Sequence, residues 1–111
     1  MTIEGLDSVI HAPVRLQICA ILSATDEAEF ALVRDETGVS ESVLSKHVKQ
    51  LEEAGYVKVR KAVLASRQRT WLFLTNAGHA ALVRHLDTLR RLASTVEVRP
   101  SPTARSESRA S

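Results

Sequence analysis

The chain has 111 residues, 44% hydrophobic and 25% charged, with a formal net charge of +2; this suits one globular domain and excludes two comfortable cores. No apolar run approaches the roughly 20 residues that span a bilayer, "MTIEGLDSVIHAP" lacks the pattern of a secretory leader, and the lone Cys19 excludes an internal disulfide, so a cytoplasmic location is expected. The small total hides a net of −5 over residues 1–40, +4 over 41–69 and +3 over 70–111. Such a basic middle fits either a polyanion-binding surface or an ordinary solvated face.

Ile3, Leu6 and Ile10 recur at i, i+3 and i+7 and predict a short amphipathic helix. Pro13 ends it and opens the next helix. There Val14, Ile18, Ile21 and Leu22 form one stripe, with Cys19 beside it as packing. "SATDEAE" is turn-like, with a short strand expected around Glu29–Phe30. A brief helix should follow from about Ala31 to Thr37. Gly38 provides the left-handed turn at its end, and Val39 is an apolar plug. Ser40 is a good N-cap, because its hydroxyl can accept a free N–H of the first turn. The helix it caps should run to about Ala54, where Gly55 stops it. Helix, glycine turn and capped helix make a helix-turn-helix arrangement.

After Gly55 the period changes. Val57 and Val59 share one strand face, and Lys58 and Arg60 the other. "TWLFLT" suits a second, buried strand, with Trp71 and Phe73 as hairpin and dimer core. The "AVLASRQR" between them is long for a tight turn and predicts a flexible basic loop carrying Lys61, Arg67 and Arg69 at or near its tip. Thr75 caps a last helix, in which Leu82, Leu86, Leu89 and Ala93 form a coiled-coil-like seam. Residues 1–95 are therefore expected to form the folded domain, and residues 96–111, rich in Ser and Arg, a disordered tail. There is no internal repeat.

On a wheel of about 100° per residue, Leu44, Val48 and Leu51 face the core in the helix after Ser40. Ser42, Lys46, Lys49 and Glu53 face outward, with Ser45 at the edge and His47 on the flank of the core sector. Hydroxyls can donate to base edges or phosphates, and lysines can neutralise phosphate or reach guanine acceptors. The same residues would suit any solvated helix, and His47 also fits a boundary histidine packed with a backbone partner. His11, Cys19, His79 and His85 show no metal spacing. There is no glycine-rich phosphate loop, nucleophile elbow or HExxH motif, so neither an enzyme nor a cofactor is expected.

The runs "HAPVRLQICAIL", "FALVRDETGVSESVLSKHVKQLEEAGYVKV" and "RTWLFLTNAGHAAL" resemble the small winged-helix transcriptional regulators of the MarR and ArsR kind, over roughly residues 5–95. The resemblance implies a mainly α fold with a small β-hairpin, dimerising through its N- and C-terminal helices. It implies a homodimer on double-stranded DNA, acting as a repressor at an inverted-repeat operator. Carried over by position, Ser40, Ser42, Ser45, Lys46, His47 and Lys49 become recognition-helix contacts. Lys61, Arg67 and Arg69 become wing contacts, and Ile3, Leu6, Ile10, Leu82, Leu86 and Leu89 dimer contacts. The cysteine-rich motif of metal-sensing ArsR members is absent from the sequence, so no metal is implied. The full MarR domain is longer, which leaves its ligand pocket reduced or missing, and an unknown small-molecule effector stays open. Two other readings stay open: a winged-helix protein-interaction module, and a thiol sensor centred on Cys19.

Overall fold

The computed structural model describes residues 4–96. In chain order it forms α1 (Pro13–Ser23), β1 (Ala28–Glu29), α2 (Phe30–Thr37), α3 (Glu41–Glu53), β2 (Val57–Leu64), β3 (Arg67–Leu74) and α4 (Asn76–Ser94). The sheet is antiparallel with order β1-β3-β2. This is a winged helix-turn-helix: α2 and α3 make the helical pair, and β2 and β3 make the wing.

Local chemistry sets the key boundaries. Gly38 ends α2 in the left-handed conformation at φ 73°, and its N–H closes onto the Arg34 carbonyl. A non-glycine residue would be strained there. Ser40 then caps α3 by accepting the Val43 N–H at 3.3 Å, and Thr75 caps α4 by accepting the Gly78 N–H at 2.9 Å. Gly78 also lets α4 approach the chain at Tyr56, where a Cβ would overlap the Tyr56 carbonyl.

The core lies where α1, α3 and α4 meet the inner face of the sheet. Ile18 and Leu22 of α1, Leu44 and Leu51 of α3, and Val57 and Leu72 of the sheet are each at most 1% exposed. The inward sector expected for α3 is therefore the buried one, and Val48 is buried with it. Cys19 belongs to the same core.

Several expectations are corrected. Residues 4–12 form turns rather than a helix. Asp7 Oδ1 accepts the N–H groups of Val9 and Ile10 at 2.9 and 3.2 Å, an arrangement that competes with helix continuation. The short strand is Ala28–Glu29, one residue earlier than expected. The hairpin has no long loop: Leu64 pairs with Arg67, leaving only Ala65 and Ser66 to turn the chain. Both have positive φ, 52° and 65°. That is the primed two-residue geometry whose twist matches the strands it joins.

The expected seam of α4 is rotated as well. Its buried residues are Gly78, Ala81, Leu82, His85 and Thr88, whereas Leu86 is 44% exposed. The reason is that α4 packs on the N-terminal segment and α1 with small and polar residues, so its leucines do not all point inward. Trp71 is half-buried and lies under the Arg60 guanidinium, 5.9 Å from the ring centroid. Ile3 and residues 97–111, including nearly all of the expected tail, lie outside the described residues.

Candidate nucleic-acid interface

α3 presents Ser42, Ser45, Lys46 and Lys49 to solvent because Leu44, Val48 and Leu51 take its opposite side into the core. Together with Ser40 and Glu41, these four line one open recess along the helix. Neither lysine has an ion-pair partner among the described residues. The Ser40 hydroxyl is engaged in capping and lies 3.3 Å from that of Ser42. Ser40 thus acts first as a structural cap, while Ser45, Lys46 and Lys49 have no competing polar partner among the described residues.

A groove continues from this face to the sheet, lined by Ser45, Lys49 and Glu52 of α3 and by Lys61 and Thr70 of the hairpin. Alternation places Lys61 and Thr70, which pair across the strands, on the same sheet face as Val59 and Leu72. Lys61 is therefore a groove wall, not a tip residue as expected. Arg67 is the exposed residue beside the turn.

Two other wing cations, Arg60 and Arg69, have partners within the protein. Arg69 donates to Glu29 at 3.2 Å, which ties the wing to β1. Arg60 makes two bonds to Glu27, at 3.0 and 3.1 Å. Arg34, Arg67 and Arg69 line one cleft between α2 and the wing, together with Glu29 and Glu41. The acidic residues make this cleft far less positive than its arginines alone suggest.

His47 is half-buried and is not part of the outward face. Its Nδ1 accepts from the Arg15 guanidinium at 3.2 Å, and the same guanidinium also donates to Gln50 and to the Val9 carbonyl. The sequence reading missed Arg15, Gln50, Thr70 and Arg34. Thr70 was recoverable from strand alternation, since it lies two before Leu72. Arg15 and Arg34 carry no local signal.

The residues expected at a dimer contact fall into two sets. Ile10 is fully buried and Leu82 is 3% exposed, both in the protomer's own core. Leu86 is exposed, and Leu6 and Leu89 are half-buried. Exposed Val83 and Leu92 on α4 add to the apolar surface.

Away from the groove lies a buried polar cluster. Burial alone would raise the Asp7 carboxyl, but bonds from Tyr56, Ile10 and Val9 and the proximity of His85 outweigh it and hold it below its ordinary value. The bond to Asp7, reinforced by burial, pushes the Tyr56 hydroxyl up. Burial pushes the Cys19 thiol to about 11, with Asp7 adding to the rise. A thiol at that value is scarcely ionised near neutrality, which argues against the thiol-sensor reading.

The family model described as a winged helix DNA-binding domain matches residues 14–93 of this chain. An uncharacterized protein of Methanocaldococcus jannaschii is 28% identical over 89 residues, covering 80% of this chain and 97% of that protein. A transcriptional regulator homologue protein from Pyrococcus horikoshii OT3 superposes with a TM-score of 0.76 at 29% identity, over 81% of this chain and 89% of that one. A MarR-family transcriptional regulator from Silicibacter pomeroyi superposes with a TM-score of 0.57 at 26% identity, over 96% of this chain and 67% of that one.

Proposed function

The chain belongs to the winged helix DNA-binding domain family, and on that premise we propose that it is a sequence-specific regulator of transcription, a homodimer that represses at an inverted-repeat operator in duplex DNA. The observation that carries the reading is the outward face of α3. It offers hydroxyls and two lysines with no ion-pair partner among the described residues on a rigid helix, beside a groove continued by Lys61 and Thr70 of the wing. α3 enters the major groove, where Ser42, Ser45, Lys46 and Lys49 meet base edges and phosphates. Arg67 reaches the adjoining backbone or minor groove from the wing. Ser40 and His47 support this face rather than touch the DNA, and Arg69 joins it only by leaving Glu29.

Dimerisation uses apolar residues that α4 leaves exposed, Val83, Leu86 and Leu92, with half-buried Leu89 and Leu6. Exposed patches of this kind mark interfaces. Two-fold symmetry then sets the operator half-sites about one helical turn, roughly 34 Å, apart. Residues 1–95 suffice for specific binding, and Arg99, Arg105 and Arg109 of the remaining 96–111 add only non-specific attraction. No described helix is long and apolar enough to cross a membrane, and the DNA-binding role fits a cytoplasmic, nucleoid-associated protein.

Selection of bound sequences from random duplex DNA tests the reading. The expected outcome is an enriched inverted repeat whose affinity falls steeply with salt, and Lys49→Ala should reduce that slope by roughly one. Failure to enrich any sequence, or binding indifferent to salt, would favour the protein-interaction module instead.

A further inference from the structure

Three histidines outside the proposed DNA contacts lie along one polar chain through the molecule. His85 of α4 is fully buried. Its Nδ1 accepts the Asp7 N–H at 3.0 Å. A backbone amide only donates, so this nitrogen carries no proton, and neutral His85 holds its proton on Nε2. That Nε2 is 3.4 Å from Nδ1 of His11, and the two rings meet edge-on, 5.3 Å between centroids. His11 Nδ1 is therefore an acceptor as well. At the far end, His47 Nδ1 accepts from Arg15 at 3.2 Å, because a guanidinium can only donate.

The segment between these ends is continuous. Asp7 accepts from the Tyr56 hydroxyl and from the N–H groups of Val9 and Ile10. The Val9 carbonyl accepts from Arg15, and Arg15 donates onward to Gln50 of α3. Gly5 sits so close on Thr88 of α4 that a Cβ would overlap the threonine hydroxyl. Residues 5–11 and Arg15 thus run from α4 to the recognition helix without a gap in the bonding.

We propose that this chain is a proton-sensitive tie: with His85 neutral it holds α3 against the N-terminal segment, and protonation of His85 on acidification releases it. Its consequence for DNA rests on the reading of α3 given above, whereas the tie itself is a property of the free protein. His85 uses Nδ1 as an acceptor, so its protonation turns the bond from Asp7 into an N–H facing an N–H.

The charged and titratable neighbours set the direction. His85 is faced by Asp7 and His11 of the N-terminal segment, within a cluster that includes Cys19 of α1, Tyr56 after α3, and Arg84 of α4. Glu4, Arg84 and Arg91 line the recess beside Asp7. His47 is faced by Arg15. Asp7 favours a charged His85, but burial and then the His11 charge outweigh it and hold the imidazole below its ordinary 6.5. Positive charge gained on acidification would by itself attract DNA. A loss of affinity on acidification is therefore the opposite of the simple electrostatic result and is diagnostic of the tie.

The test follows the backbone amide of Asp7 and the side-chain amide of Gln50 by NMR in the full chain, from about pH 8 to about pH 5, where histidine titrates. Both should shift with a common midpoint below 6.5. His85→Gln, whose carbonyl can still accept from Asp7 but cannot titrate, should abolish the Asp7 transition. Exposed His11→Asn, chosen in case the first variant does not fold, should raise its midpoint. Affinity for the selected duplex should fall about tenfold across this range in the natural chain, and no more than about twofold in His85→Gln. An Asp7 amide that does not shift overturns the tie, whatever the DNA does. An Asp7 transition that leaves Gln50 unmoved, or His11→Asn with an unchanged midpoint, overturns it too. If no duplex binds at any pH, the DNA reading falls, and the two amides still decide the tie.

Discussion

The recognition helix and the wing use their positive charges differently. On α3, Lys46 and Lys49 have no ion-pair partner among the described residues and line the open recess. On the hairpin, Arg60 is bound to Glu27 and Arg69 to Glu29, which leaves Lys58, Lys61 in the groove and Arg67 beside the turn as exposed cations with no ion-pair partner among the described residues. The difference shows that a count of basic residues is no measure of what a phosphate backbone can recruit. An arginine already bound to a carboxylate must give up that partner first, and surface pairs are weak enough, about 1 kcal/mol or less, for the exchange to happen.

The sharpest way to break this comparison is to remove both helix lysines. Lys46→Ala with Lys49→Ala should weaken duplex binding by about 3 kcal/mol, on the order of 100-fold, measured by fluorescence anisotropy. A loss no larger than that of a single wing variant would place the main contacts elsewhere. Core truncation separates contact from scaffold: Leu44→Ala should cost roughly 2–5 kcal/mol of stability in chemical denaturation, because a fully buried leucine leaves a cavity.

Arg67→Ala should weaken binding about fivefold across all sequences and lower the salt slope by about one, as expected for a phosphate contact. An unchanged slope would remove Arg67 from the interface. Glu29→Gln should do the reverse and tighten binding about twofold by releasing Arg69. If affinity does not change, the Arg69–Glu29 pair does not withhold that arginine.

The smallest effect concerns stability and pH. The folded state holds His85 below its ordinary 6.5, so on acidification the unfolded chain takes up a proton that the folded chain resists. The denaturation midpoint should therefore be highest above about 6.5 and fall as pH drops below it. Asp7 adds a second loss below 3.8, because its folded carboxyl is held lower still. A midpoint that is flat from neutrality to about pH 5 would remove the His85 contribution.

Much of the geometry of α3 is legible in the sequence. Ser40 and Gly38 carry local geometric signals, and the spacing of Leu44, Val48 and Leu51 determines which side of α3 faces out. The hairpin turn was not legible, since Ala65 and Ser66 replace the Asn and Gly that normally mark positive φ. The partner of His47 was not legible either, because periodicity places it on a flank without naming the neighbour, and Arg15, which engages it, is 32 residues away.

By itself, the sequence determined the order of elements from α1 onward, the caps of α3 and α4, and the division of α3 into a packed and an open side. These depend on interactions within a few residues and on helical period, which the chain carries wherever it folds. Tertiary structure alone decided which charges stay available and which polar groups are buried. Arg69 meets Glu29 from 40 residues away, and His85 meets Asp7 from 78. Such partners are chosen by chain topology, and burial then decides the protonation state each must keep.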